Sequence, residues 1–502
     1  LHVPGVWNTA LGLLDYEGVG WYRRRFSIGA CTAAALHFAA VTQQANIWLD
    51  GEPVGEHYGG FLPFSFIIPE PAPGEHELIV RVDSTHDMTT TIPAANVDWF
   101  HYGGIARPVW VEDLIGPGYI SSLRLMPVVT NGRCTLRVRA ELMNLTLATV
   151  NDTWTFFFEG KAIRSEHVSL GPCDCQVILF AVEVDAQLWS PQNPRLYTAQ
   201  LVFGNDDLIE RTGFRAIQVS GDRVLLNGEP LRLRGVNRQQ DHPDWGLALP
   251  LDAMTRDLDL LTDLGANAVR GAHCPNDQRF LDLCDERGLL FLEEIPLRGY
   301  TAEQLSLDII ADRASAMMWA MIERDVNHPC IWAWGALSNC ATDAAEGRAV
   351  VERLVDVAHE ADPTRPVTYV SDKGLSDICM DLADIVSLSI VGWRLSDPDW
   401  LTILDQARTH IGDTPLLIAE CCVGAPSEMM GQDQGRQLVR EAVRLLDERS
   451  DLVGYYFWQF CDTRINPSRF PERLRGYDES GLFTERRLPK LICETVRALW
   501  RD

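Results

Sequence analysis

Glu420 ends the run Pro415-Leu416-Leu417-Ile418-Ala419-Glu420-Cys421, in which apolar residues follow one another without alternation and then deliver a single carboxylate. Such a run fits a strand covered on both faces, as in a parallel sheet, and its last residue then emerges at the C-terminal rim. A carboxylate there can serve as nucleophile, acid or base. Other apolar runs end in Asn237, in Arg270 and His273, in Glu293 and Glu294, in Asn339 and Cys340, and in Asp372, Ser389, Trp458 and Asp462. Gathered at one rim, this polar, acid-rich set with an aromatic platform suits a sugar, whose apolar face stacks while its hydroxyls need partners. The plainer alternative is that Glu420, Arg270 and Glu294 only form ion pairs that knit the strands together. A third chemistry, zinc held by Cys274, Cys340, Cys421, Cys422 and His273, lacks the Cys-x-x-Cys spacing usual for such sites.

The elements that must carry these residues change character along the chain. Up to about residue 116, short alternating runs (Trp21 to Ile28, Leu36 to Val41, Ala45 to Asp50, Phe64 to Ile68, Glu77 to Val82) with turns such as Asp50-Gly51 predict a first β-sandwich. Residues 117–218 predict a second, immunoglobulin-like sandwich with strands Cys134 to Leu142, Thr153 to Phe158, Gln176 to Val184 and Tyr197 to Phe203. After the hairpin signal Asn227-Gly228, residues 219–502 alternate strand and helix. Strands are expected at Leu231 to Asn237, Asn267 to His273, Leu289 to Ile295, Ile331 to Asn339, Val367 to Asp372, Ile385 to Ile390, Leu416 to Cys421 and Gly454 to Phe460. Helices are expected at Leu251 to Leu264, Asp277 to Arg287, Ala345 to Ala361, Arg436 to Asp447 and Lys490 to Trp500. Eight such units predict a (β/α)8 TIM barrel. The loop Asp98-Trp99-Phe100-His101-Tyr102-Gly103-Gly104-Ile105 interrupts the first sandwich with aromatics and paired glycines, a composition suited to packing against something outside its own sheet.

The chain has 502 residues, enough for about three domains, and 44 Lys+Arg against 70 Asp+Glu give a net charge of −26. That balance argues against nucleic acid or an anionic membrane as partner, and no run approaches a spanning helix. The chain opens Leu1-His2-Val3-Pro4 without a charged-then-apolar leader, and its 13 cysteines, an odd number in apolar contexts, read as reduced thiols. A cytoplasmic location follows as the expectation. No cofactor is expected, the partner is a carbohydrate, and a homo-oligomer is left open.

Several motifs resemble glycoside hydrolase family 2, the family of β-galactosidases, β-glucuronidases and β-mannosidases. They are Arg234-Gly235-Val236-Asn237-Arg238, Asn267-Ala268-Val269-Arg270 with Ala272-His273-Cys274-Pro275, Leu281-Asp282-Leu283-Cys284-Asp285, and Arg324-Asp325-Val326-Asn327-His328-Pro329. Tyr58-Gly59-Gly60-Phe61-Leu62-Pro63-Phe64 and the loop from Asp98 to Arg107 are also similar, as is the order of jelly-roll-like sandwich, immunoglobulin-like sandwich and barrel. The resemblance implies a retaining β-glycosidase with Glu420 as nucleophile, and Asp98, Asn237, Arg270, His273, Glu294, Asn339, Trp393 and Trp458 as sugar-binding residues. It also implies an acid/base Glu after the fourth strand. Here Trp334-Gly335-Ala336-Leu337-Ser338-Asn339-Cys340 offers none: aligned on the asparagine the position is Cys340, and aligned from Trp334 it is Asn339. Glu293, Glu294, Asp343 and Asp372 are the substitutes within the same rim. Before Gly481-Leu482-Phe483-Thr484, the Asn-x-Lys clamp of the family's β-glucuronidases is replaced by Tyr477-Asp478-Glu479-Ser480, which predicts a neutral sugar. A sugar-binding homologue without turnover is the alternative.

Overall fold

The computed structural model describes residues 1–390, 399–422, 432–466, 468–473 and 475–501. Eight parallel strands close into a barrel: β1 (Leu233–Asn237), β2 (Ala268–Gly271), β3 (Leu290–Glu294), β4 (Ile331–Ser338), β5 (Val367–Ser371), β6 (Ile385–Ser389), β7 (Leu416–Cys422) and β8 (Leu452–Trp458), with β8 pairing back onto β1. The helices between and after them are α1 (Leu251–Leu264), α2 (Gln278–Arg287), α3 (Ala302–Leu305), α4 (Asp308–Asp325), α5 (Ala345–Ala361), α6 (Asp399–Ile411), α7 (Gln432–Glu448) and α8 (Leu491–Arg501). Every residue of β2 to β6 and of β8 is buried, because side chains fill the barrel inside while helices cover it outside. Small residues make room where large ones must fit. A Cβ on Gly235 would lie 2.4 Å from the Tyr456 ring, and one on Gly335 would lie 2.5 Å from Cβ of Glu294. The helix ends follow local rules: Asp277 accepts from Arg279 N to cap α2, and Gly265 ends α1 in the left-handed region.

The sequence places α1 and α5 within their observed bounds and misses some strand ends. β2 stops at Gly271, so His273 stands beyond it rather than on it. β8 covers Leu452–Trp458, and Phe460 already belongs to the following loop, where its N–H donates to Asn237 O at 2.8 Å. The strand expected at Leu36 to Val41 is Ala33–Phe38 instead. Its three leading alanines are fully buried on both faces of the sheet, and they carry no alternation to read.

Two antiparallel sheets form the first sandwich. One is ordered Val19–Ile28, Gly74–Asp83, Gln44–Leu49, Glu52–Tyr58, and the other Phe64–Pro69, Ala33–Phe38, Val109–Leu114. The second sandwich has a sheet of Gly118–Thr130, Arg133–Asn144 and Cys175–Val184 facing one of Lys161–Leu170, Val150–Phe158, Tyr197–Phe203 and Asp206–Thr212. Each sandwich has its own apolar core. Buried arginines fasten both to the barrel: Arg215 donates to Pro329 O and Ile331 O at 2.7 and 2.8 Å, and Arg107 to Pro275 O at 2.8 Å. The loop after Asp83 crosses over, so that Ile92 and Ala94 pack within the barrel's core, while the Tyr102 hydroxyl donates to Asp241.

Candidate active site

Strand β7 delivers Glu420 to the rim with only 1 % of its surface exposed. Burial alone would keep its carboxyl protonated, but Arg270 and Arg298 lie close by, and hydrogen bonds from Arg270 and Ser389 add to their charge. Together they hold it below the usual carboxylate range. Arg270 Nη1 donates to Oε1 at 2.6 Å, while Ser389 Oγ and Asn339 Nδ2 donate to Oε2 at 2.7 and 3.1 Å. Arg270, itself fully buried, is aimed by Glu294, which accepts from Nε and Nη2 at 2.8 to 2.9 Å, and by Asn237 Oδ1 at 2.9 Å. The result is an ionised, oriented carboxylate, the state a nucleophile needs.

Around it stand residues from both the barrel and the first sandwich. His273 is packed between Trp99 and Trp458, with ring centroids 5.4 and 5.3 Å away, and Trp458 Nε1 donates to Asp478 Oδ2 at 3.0 Å. Asp98, from the sandwich loop, pairs through Oδ2 with Arg298 Nη2 at 2.8 Å. Burial raises the Asp98 carboxyl against the pull of Arg298, with Glu420 and Asp478 adding repulsion. Among the described residues Asp98 Oδ1, His273 Nε2, Arg298 Nε, Asn339 Oδ1 and Gln459 Oε1 are buried without a hydrogen-bond partner. Unmet polar atoms are rare inside proteins, and gathered beside one carboxylate they suit a ligand rich in hydroxyls. A family profile described as "Glycosyl hydrolases family 2, TIM barrel domain" matches residues 217–471.

The chain belongs to glycoside hydrolase family 2.

Enzymes of family 2 are glycoside hydrolases that act with retention. A β-galactosidase of Thermoanaerobacter pseudethanolicus is 32 % identical over 71 % of the chain, which there spans half the relative's length. A β-glucuronidase of Streptococcus agalactiae is 26 % identical, over 97 % of this chain and 89 % of its own. The crystal structure of a family 2 β-galacturonidase from Eisenbergiella tayi bound to galacturonate superposes with a TM-score of 0.94 at 32 % identity. It covers all of this chain and 92 % of that one.

After β4 the chain turns a thiol inward. Asn339 leaves β4 with φ 51°, in the left-handed region that asparagine tolerates better than most residues. That turn sends the Asn339 amide toward Glu420 and Cys340 the other way. Cys340 is fully buried, its Sγ 3.5 Å from both Leu297 O and Ser338 O, and burial pushes the thiol up to about 12. It has neither the access nor the acidity of a working acid/base.

Three residues expected to bind sugar, Asn237, Arg270 and Glu294, are engaged within the protein instead. Asn237, fully buried, donates from Nδ2 to Ala419 O and Phe457 O at 2.9 and 3.2 Å and accepts at Oδ1 from Arg270 Nη1 at 2.9 Å, so its side chain is engaged within the protein. Arg270 and Glu294 are also consumed beneath Glu420, which is the knitting role weighed for them from the sequence alone. Glu293 faces the other way, accepting from Asn276 N at 2.9 Å and Arg324 Nη2 at 3.2 Å. Asp462 is held by Lys490 at 2.6 Å, and Asp372 pairs with Lys373 at 2.8 Å. Trp393 lies outside the described residues. Of the thiols expected together, Cys421 Sγ reaches Tyr456 O at 3.5 Å and Cys340 faces Leu297 O at 3.5 Å, and the side chain of Cys422 lies outside the described residues. Among the described residues three side chains of metal-ligating type converge only at Asp282, Asp285 and His328, at the opposite end of the barrel.

Arg298 and Trp99 escaped the sequence reading. Trp99 was legible as part of the intruding loop, whereas Arg298 sits in an irregular segment that touches β4 through a bridge to Ser338. Asp98→Ala should weaken sugar binding by about 1–3 kcal/mol, the scale of a hydrogen bond to a charged group, with little change in thermal stability because the side chain is partly exposed. Calorimetric titration checks this. Equal affinities would mean that the loop only shapes the protein.

Proposed function

We propose that this chain is a retaining β-glycosidase that acts on a neutral sugar, forming a glycosyl ester at Glu420 readily and releasing it slowly. One observation carries the reading: Glu420 is held ionised by Arg270, Ser389 and Asn339, while the position that should protonate the leaving group is an enclosed thiol. Attack needs the first of these and little else when the leaving group is good.

Neutrality of the sugar is supported by Asp478, which stands where the family's β-glucuronidases place their clamp. Its carboxylate is fixed beside Trp458 by the indole N–H and by Ser480, and the nearby cation Lys490 is engaged by Asp462. A uronate carboxylate would meet a like charge there. A second reading, a uronide, is favoured by Arg298, whose Nε is buried and unpartnered at the pocket, and by the likeness to a galacturonidase.

A panel of nitrophenyl β-glycosides separates these, with mass spectrometry reading the ester on Glu420. The neutral glucoside and galactoside should label it faster than the glucuronide and galacturonide. Labelling by uronides alone would overturn neutrality and make Arg298 the residue to substitute next. If sugars bind but none labels Glu420, the chain is a sugar-binding homologue.

A further inference from the structure

Arg464 stands where the barrel meets the sandwich loop that carries Asp98 and Trp99. Its guanidinium lies 3.8 Å above the Phe100 ring and 5.9 Å from that of Tyr102, two residues of the same loop. Nη1 donates to Asn8 O at 3.1 Å, and Nη2 to Leu14 O and Asp15 Oδ1 at 2.8 and 3.1 Å, which ties the stacked cation to the N-terminal segment as well. The main chain adds to this. Arg464 O accepts from Phe100 N at 3.0 Å, and Arg464 N donates to Asp241 Oδ2 at 2.7 Å, while the Tyr102 hydroxyl donates to Oδ1 of that carboxylate.

Arg464 also belongs to the hairpin that carries Asp478. Thr463–Arg464 pairs with Tyr477–Asp478, so that Thr463 is opposite Asp478 and Arg464 opposite Tyr477. Gln459 Nε2 donates to Thr463 Oγ1 at 3.1 Å and to Asp478 Oδ2 at 3.2 Å, and the same carboxylate oxygen takes the Trp458 indole N–H. One residue thus joins two walls of the pocket: Asp98 and Trp99 from the sandwich, and Trp458, Gln459 and Asp478 from the barrel. Among the described residues each wall holds a buried oxygen without a hydrogen-bond partner, Asp98 Oδ1 on one and Gln459 Oε1 on the other. The walls also repel each other, because the Asp478 charge acts on the Asp98 carboxyl. The cation stacked on Phe100 is placed to hold them together against that repulsion.

We propose that Arg464 is a positioning residue that fixes the gap between the Asp98 wall and the Asp478 wall, so that one sugar is gripped by both at once. The proposal rests on the reading of this pocket as a sugar site, and adds a residue that acts on affinity through its neighbours. Its hydrogen bonds run to residues 8–15, whereas Glu420 is aimed by Arg270, Ser389 and Asn339. Loss of the guanidinium should therefore loosen the grip on the sugar and leave the attacking carboxylate as it is, a loss of binding without a loss of the chemical step. Once the walls part, a sugar held by one no longer feels a change in the other.

The experiment uses whichever of nitrophenyl β-glucoside, galactoside, glucuronide or galacturonide labels Glu420 fastest, and follows the first turnover by stopped flow across a range of glycoside concentrations. Arg464→Met should raise the half-saturating concentration about 3- to 30-fold, the factor expected of a cation on an aromatic face, while the maximal rate of ester formation stays within about twofold. Arg464→Lys, whose charge can remain on Phe100, should recover part of the loss. Double-mutant cycles separate positioning from general loosening: Asp98→Asn and Asp478→Asn should each change affinity by a smaller factor beside Arg464→Met than alone. If Arg464→Met folds poorly, Arg464→Lys carries the same cycles. Effects that simply add, an unchanged half-saturating concentration, or a maximal rate that falls in step would each overturn the proposal. A wild type that none of the four labels or saturates would overturn the sugar-site reading together with this one. Saturable labelling that Arg464 substitutions leave untouched overturns only the positioning role.

Discussion

A burst of about one nitrophenolate per chain, followed by slow steady release, is the expected course when the protein meets a nitrophenyl β-glycoside of the right sugar. Nitrophenolate departs without a proton, so attack by Glu420 proceeds at the rate its ionised carboxylate permits, and the ester accumulates because its hydrolysis is the harder step. Glu420→Gln should abolish the burst. The amide keeps the shape, but it has no charge with which to attack and leaves Arg270, fully buried, with one carboxylate partner fewer. A variant that still gave a full burst would move the nucleophile elsewhere in the rim.

Cys340→Glu should raise turnover of unactivated glycosides by the ~10²–10⁴ that general acid–base groups contribute. The space around Sγ is closed by Leu297 O and Ser338 O, two acceptors that a carboxylate cannot face. The longer side chain must therefore leave that niche, and the expected result is that it swings toward the sugar pocket. Both steps should gain, and the burst should shrink as breakdown catches up with formation. An unchanged rate in an active protein would mean that another group already performs both proton transfers fully.

Much of this arrangement could be read from residue order. The apolar run before Glu420 marks a barrel strand and its rim, and the alternation of runs with helical patterns gives the closed barrel. Direction was harder. Asn237 and Arg270 stand near strand ends just as Glu420 does, yet their side chains are spent on bonds that support it, and register rather than residue type decides that. The inward turn of Cys340 depends on one left-handed residue, Asn339, which sequence allows without requiring. Arg298 follows Leu297 in a stretch with neither helical nor strand period, so nothing marked it until the chain was folded. Trp99 and Asp98 could be suspected only because aromatics and glycines sit where a sandwich loop should be plain.

That loop has one more consequence. Ile92 and Ala94, just before Asp98, are packed into the barrel's core, whereas the strands flanking them belong to the sandwich's own. An ancestor exchanging its sandwich for an unrelated one would have torn two plugs out of the barrel and removed a wall of the pocket in the same event. The two units are therefore mechanically one piece at this seam, and a cut between them would open the barrel's core as well as the pocket.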